Sequence, residues 1–117
     1  MPSKNPAQRF RDIVDNIDAI EVFTVGMEFD AFAADRKTVY AVVRTLEIVS
    51  EASRRLPAEL RDLHPEIDWI AVAAAGNVYR HEYDGVDENL IWRTVRRDLA
   101  VLRTVAAIEL DRVRGEP

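Results

Sequence analysis

The stretch DRKTVYAVVRTLEIVSEASRRLP, residues 35–57, decides the fold. Val39, Val42, Val43, Leu46, Val49 and Leu56 recur at steps of three and four, the period at which side chains of an α-helix return to one face. Asp35 at the head offers an oxygen to the first free amides, and Pro57 at the foot cannot continue the hydrogen-bond ladder. The segment is therefore read as a helix of roughly 20 residues, about 30 Å long. A half-buried strand would need alternation with period two, which occurs neither here nor elsewhere in the chain.

The same period extends outward in both directions. Upstream, Phe10, Ile13, Val14, Ile17 and Ile20 mark an amphipathic helix from Arg9 to about Val25, which Gly26 interrupts. Phe29 and Phe32 suit one short turn or brief helix over Glu28–Ala33. Downstream, Pro57–Leu63 reads as a small helical turn ending against Pro65. Asp68 begins a third helix that runs through Trp69, Ile70 and a group of alanines to about Tyr83. Its small residues let a neighbouring backbone approach closely, so this helix is expected to lie inside. Asp84-Gly85 signals a turn and Asp87 a cap. Leu90, Ile91, Val95, Leu99, Leu102, Val105, Ala106 and Leu110 then make one long final helix, fraying after Arg114. The expected fold class is all-α, an antiparallel helical bundle with a long C-terminal helix, formed by residues 1–117 as a single domain.

Composition narrows the function. The absence of cysteine excludes disulfides, thiol nucleophiles and thiolate metal sites, and suits a reducing, cytoplasmic setting. No signal peptide and no membrane span is read in the sequence. A formal charge of −5 disfavours wholesale binding to duplex nucleic acid, although Arg93, Arg96 and Arg97 form a local basic cluster that a short or single-stranded ligand could use. A DNA-binding regulator is disfavoured further because no basic recognition helix stands out. His64 and His81 are the only histidines and match no metal motif, so neither a metal nor another cofactor is expected. His64-Pro65 reads as a surface connector, and Trp69 and Trp92 as core or dimer contacts rather than base-stacking platforms.

The remaining chemistry sits in Gly76-Asn77-Val78-Tyr79-Arg80-His81-Glu82-Tyr83. On a helix Asn77 and His81 lie one turn apart on one face, an amide beside an imidazole that titrates near neutrality, with the fixed charge of Arg80 alongside. By spacing alone, the favoured reading of the cluster is a helix end whose polar groups satisfy carbonyls and water.

The run Asn77–Val86, with Ile67-Asp68-Trp69 and Ser50-Glu51-Ala52 before it, resembles the HepT-like branch of the HEPN domains, the helical toxin partners of minimal nucleotidyltransferases. The family motif is an arginine, four to six residues, a histidine, any residue and a tyrosine. His81 and Tyr83 match its tail, and Gly76 stands where the arginine is expected. The resemblance implies a dimeric, metal-independent ribonuclease with a composite site, in which His81 handles the proton of the attacking 2′-hydroxyl or of the leaving oxygen. It implies that Tyr83 receives AMP from the antitoxin, and it matches Glu51 to a family glutamate, either a buried acceptor near the site or a surface acid. Gly76 cannot steady phosphoryl charge as the arginine would, a loss of about 10²–10³ in rate. Arg80, one turn on and leaning back toward the N-terminus, is the candidate replacement. The alternative is a catalytically dead dimeric module that engages the nucleotidyltransferase or a nucleotide.

Overall fold

The computed structural model describes residues 5–80 and 87–115, with side chains for 5–74 and 87–113. Asn5 caps α1 (Pro6–Thr24) by accepting from the Gln8 amide at 3.2 Å, and Pro6 occupies the first helical position, where no amide is needed. Phe10, Ile13, Ile17 and Ile20 turn one face of α1 inward and are almost wholly buried. Burying such side chains stabilises by about 1.5–3 kcal/mol each. The chain leaves α1 through Gly26, whose φ of 75° is a left-handed conformation that other residues adopt only under strain.

The short α2 (Phe29–Ala34) plants Phe32 in the core and hands over to Asp35. Asp35 caps α3 (Arg36–Arg54) as expected, its carboxylate accepting from the Thr38 amide at 3.3 Å and hydroxyl at 2.8 Å. These two bonds hold its carboxyl below the usual range. Leu56 closes the stripe of α3, and Pro57 turns the chain into the single-turn α4 (Ala58–Asp62). Next comes α5 (Trp69–Arg80), with the Asp68 carboxylate accepting from the Ala71 amide at 3.0 Å. The helix was read through Tyr83, and that last part, like the turn at Asp84-Gly85, lies outside the described residues. Asp87 caps α6 (Glu88–Arg93) through the Leu90 amide at 3.2 Å.

The final amphipathic segment is not one uniform helix. A π-helical turn, Thr94–Asp98, joins α6 to α7 (Leu99–Gly115). Ile91, Val95 and Leu99 step by four, which drifts around an ordinary α-helix. A wider i→i+5 turn absorbs that drift, so that Leu102 and Val105 continue on the inner side.

Helices α1, α3, α5 and α7 are the four long rods, and α1 lies between α3 and α7. The antiparallel course of α1 and α7 is fixed at two levels. Arg103 grips Asp18 with bonds of 2.6 and 3.1 Å, and Arg96 donates to the Met27 carbonyl at 2.7 Å. The architecture is thus the expected all-α helical bundle, HEPN-like, with a long C-terminal helix. No described helix is long and apolar enough to cross a membrane.

Two expectations need correction. α5 does not lie inside: it packs against α3 on one side, while Ile70 is 84% exposed and Ala71 and Ala74 face outward. Small side chains permit close packing, but here they permit it on one face only. His64, in turn, is no surface connector. Its ring is enclosed, with Nε2 2.9 Å from Glu109 Oε1, and Glu109 is completely buried in α7. Arg112 reaches the same oxygen at 3.2 Å, and Glu66 lies 3.6 Å from His64 Nδ1. The indole of Trp69 pins the connector further, donating to the carbonyls of Arg61 at 3.0 Å and His64 at 3.1 Å.

Candidate functional site

The site begins where α3 supports α5. Alanine-rich α5 has few large side chains with which to grip its neighbour, and polar bonds from α3 do part of that work. Ser50, buried, donates its hydroxyl to the Val72 carbonyl at 2.7 Å, and Arg54 donates to the Ala73 carbonyl. The turn that follows carries Gly76 and Asn77, and the helical backbone continues through Arg80. Gly76 and Arg80 are four apart on that backbone and therefore share a face. The side chains of Asn77 and Arg80 are not among those described, and His81 and Tyr83 lie outside the described residues.

Glu51 is a surface acid rather than a buried acceptor, with 48% of its side chain exposed. It is nonetheless connected to α5, since it binds Arg54, which reaches the Ala73 carbonyl, and holds Arg55 at 2.9 Å. The hydrogen bonds from Arg54 and then Arg55 hold its carboxyl below the ordinary glutamate range, against a small opposing effect of burial. Sequence reasoning missed Arg54, whose neighbours gave no sign that its guanidinium crosses to another helix. It also missed Glu109, which stands in step with Leu102 and Val105 and so presents an acid on an apolar stripe, a detectable signal.

Because α5 leans on α3, a groove of about 610 Å³ opens between α5 and the α6–α7 rod. Leu46, Val49, Val72, Leu90 and Leu102 make it largely apolar, and Glu66, Arg97 and Asp98 put charge of both signs on it. It runs along the helix that ends in the Gly76–Arg80 turn. A second groove, between α1 and α3, is lined by Arg9 and Arg44 against Asp12, Glu47 and Glu51, a balance that does not favour a polyanion.

The basic cluster divides by role. Arg96 lies over the Trp92 ring at 4.3 Å as well as holding the Met27 carbonyl, while Arg93 and Arg97 are exposed. Trp92 packs against Phe32 at a centroid distance of 4.9 Å, and Trp69 also packs on the core, as expected for both. Among the described residues no three histidine, aspartate or glutamate side chains gather as a metal site.

An all-helical bundle with a long C-terminal helix, carrying Gly76, Asn77 and Arg80 in the last turns of α5, is consistent with an HEPN-like domain. A model of the HepT-like ribonuclease family matches residues 13–107, and the chain belongs to that family. It is 42% identical over 92 residues to a probable ribonuclease HepT of Thermococcus cleftensis, covering 79% of this chain and 84% of that one. A protein of Methanocaldococcus jannaschii with a provisional RNase name is 36% identical over 95 residues, 81% of this chain and 78% of its own. Another so named, from Caldanaerobacter subterraneus, is 31% identical over 99 residues, 85% of this chain and 88% of its own. No solved structure matches the chain.

Proposed function

We propose that this chain is the toxin of a pair with a minimal nucleotidyltransferase antitoxin, built around a metal-independent ribonuclease site that Gly76 weakens. The observation that carries the proposal is membership of the HepT-like ribonuclease family together with His81-x-Tyr83 following the last turn of α5. His81 handles the proton of the attacking 2′-hydroxyl or of the leaving oxygen, and Asn77 precedes it by four residues in the sequence. The family arginine would stabilise the charge that develops on the phosphoryl oxygens. Arg80, on the face of Gly76, supplies part of that stabilisation.

The site is completed by a second copy of the chain. Support comes from large apolar side chains left in water, namely Val101 on the wall of the groove, Ile108 two turns further along α7, and Ile70 on α5. Tyr83 is the acceptor of AMP from the antitoxin, which adds bulk and negative charge beside the site and blocks RNA.

The test is RNA cleavage in chelator by the chain and by His81→Ala, Arg80→Ala and Gly76→Arg. The expected result is weak cleavage by the chain, none by His81→Ala, less by Arg80→Ala and a gain of about 10² for Gly76→Arg. No cleavage by Gly76→Arg would defeat the ribonuclease reading. Incubation with the nucleotidyltransferase and ATP should add one AMP mass at Tyr83 and none in Tyr83→Phe. A specific observation favours a second reading: Gly76 removes the one fixed charge of the motif, which suits a dimer that only binds the nucleotidyltransferase or a nucleotide. Binding to the partner without any cleavage, even after arginine is restored, would select it.

A further inference from the structure

We infer that Arg54, oriented by Glu51, is a positioning residue that sets the register of α5 and thereby the reach of the motif turn. This rests on the ribonuclease reading for its functional consequence, but its structural half stands alone. In an α-helix the carbonyls of Val72 and Ala73 accept from the amides of residues 76 and 77. Each carbonyl oxygen has a second lone pair. Ser50 fills it at Val72 and Arg54 fills it at Ala73, so two consecutive carbonyls are held from α3 immediately before the motif.

The hold is needed at this place. Gly76 is the poorest helix former of its turn apart from proline, and the alanines before it offer little side-chain surface for packing. Two bonds to successive carbonyls restrain both sliding and rotation of the helix, which apolar contact between small side chains resists weakly. Ser50 is itself buried, and its bond to the Val72 carbonyl is part-buried at the groove wall. Arg54 is about one-third exposed, and its direction is maintained by Glu51 one turn earlier on α3. Glu51 therefore acts on the site through Arg54, without touching a substrate.

Hydrogen exchange followed by mass spectrometry on the intact chain tests this directly. Arg54→Ala should speed exchange over residues 72–80 by about tenfold, with α1 and α7 unchanged. Arg54→Lys, which keeps one donor, should restore part of the protection, and Glu51→Gln should fall between Arg54→Ala and the unaltered chain. Arg44→Ala, which removes an exposed arginine that pairs with Glu47, should leave residues 72–80 as they were. In the Gly76→Arg background, Arg54→Ala should lower kcat for RNA about tenfold with KM unchanged.

Unaltered exchange over 72–80 in Arg54→Ala, or a rise shared equally by α1 and α7, overturns the inference. So does faster exchange with unchanged kcat. Failure of every form to cleave RNA overturns the ribonuclease reading instead, and the exchange contrast still decides the role of Arg54.

Discussion

His64 and Glu109 are 45 residues apart in sequence and 2.9 Å apart in space. Each looks ordinary alone, one next to a proline in a connector and the other midway along a helix. Together they fasten α7 to the segment that leads into α5. A buried carboxylate is tolerated to the extent that partners compensate for lost hydration, and Glu109 has His64 and Arg112 on Oε1, while Oε2 is buried without a hydrogen-bond partner among the described residues. Removing one partner of such a pair is costlier than never having had it. His64→Ala should therefore destabilise the fold by about 3 kcal/mol, seen as a lower urea midpoint with an unchanged slope. A midpoint within error of the unaltered protein would show that Glu109 finds other partners. The motif residues make the opposite case. His81, Tyr83 and Gly76 are singled out by spacing and family resemblance, signals that are local in sequence, and His81 and Tyr83 lie outside the described residues, whereas a partnership such as His64–Glu109 leaves no local signal.

At the scale of the element, α5 shows how composition misleads. A run of alanines reads as a helix hidden among others, yet burial requires neighbours on all sides, and α5 has α3 on one side and a groove on another. Ile70 and the outer alanines are consequently in water. Ile70→Asp should leave the unfolding midpoint nearly unchanged, as exposed substitutions usually shift stability by within about 0.5 kcal/mol. The same change should weaken self-association in analytical ultracentrifugation if two copies meet on this face. Unimpaired association would move the interface elsewhere. Helix α3 was legible because its stripe, cap and stop agree, from Asp35 at its head to Pro57 at its foot, whereas α1 was legible by its stripe and Gly26 alone and begins at Pro6, three residues before Arg9. The π-helical turn was not, because steps of four also fit an ordinary helix within scatter and only packing against α1 and α2 chooses between them.

For the whole molecule, the electrostatics predict a direction of response to acid. Asp18 is held below the ordinary carboxylate range first by its hydrogen bond to Arg103, Asp35 by Thr38, and Glu51 by Arg54 and Arg55. A carboxyl whose folded pKa lies below its unfolded value stabilises the fold above the unfolded pKa, and that contribution is lost as pH falls through the folded one. The melting temperature should therefore decline below about pH 4. The contribution of Asp18 and Glu51 is modest, because their ion pairs are exposed and screened, and added salt should shrink it. A melting temperature that rises on acidification through this range would contradict the assignment.

Sequence alone determined that this chain forms helices, where most of them begin and stop, and which family it joins. Those properties follow from periodicity, capping and a short motif, all of which act within a few turns of backbone. Tertiary structure alone decided that Ile70, Ala71 and Ala74 of α5 are exposed, that His64 seeks a buried acid, and that Arg54 crosses to the carbonyl of Ala73. These outcomes depend on which surfaces meet, and a contact between residues distant along the chain leaves no local pattern for the sequence to display.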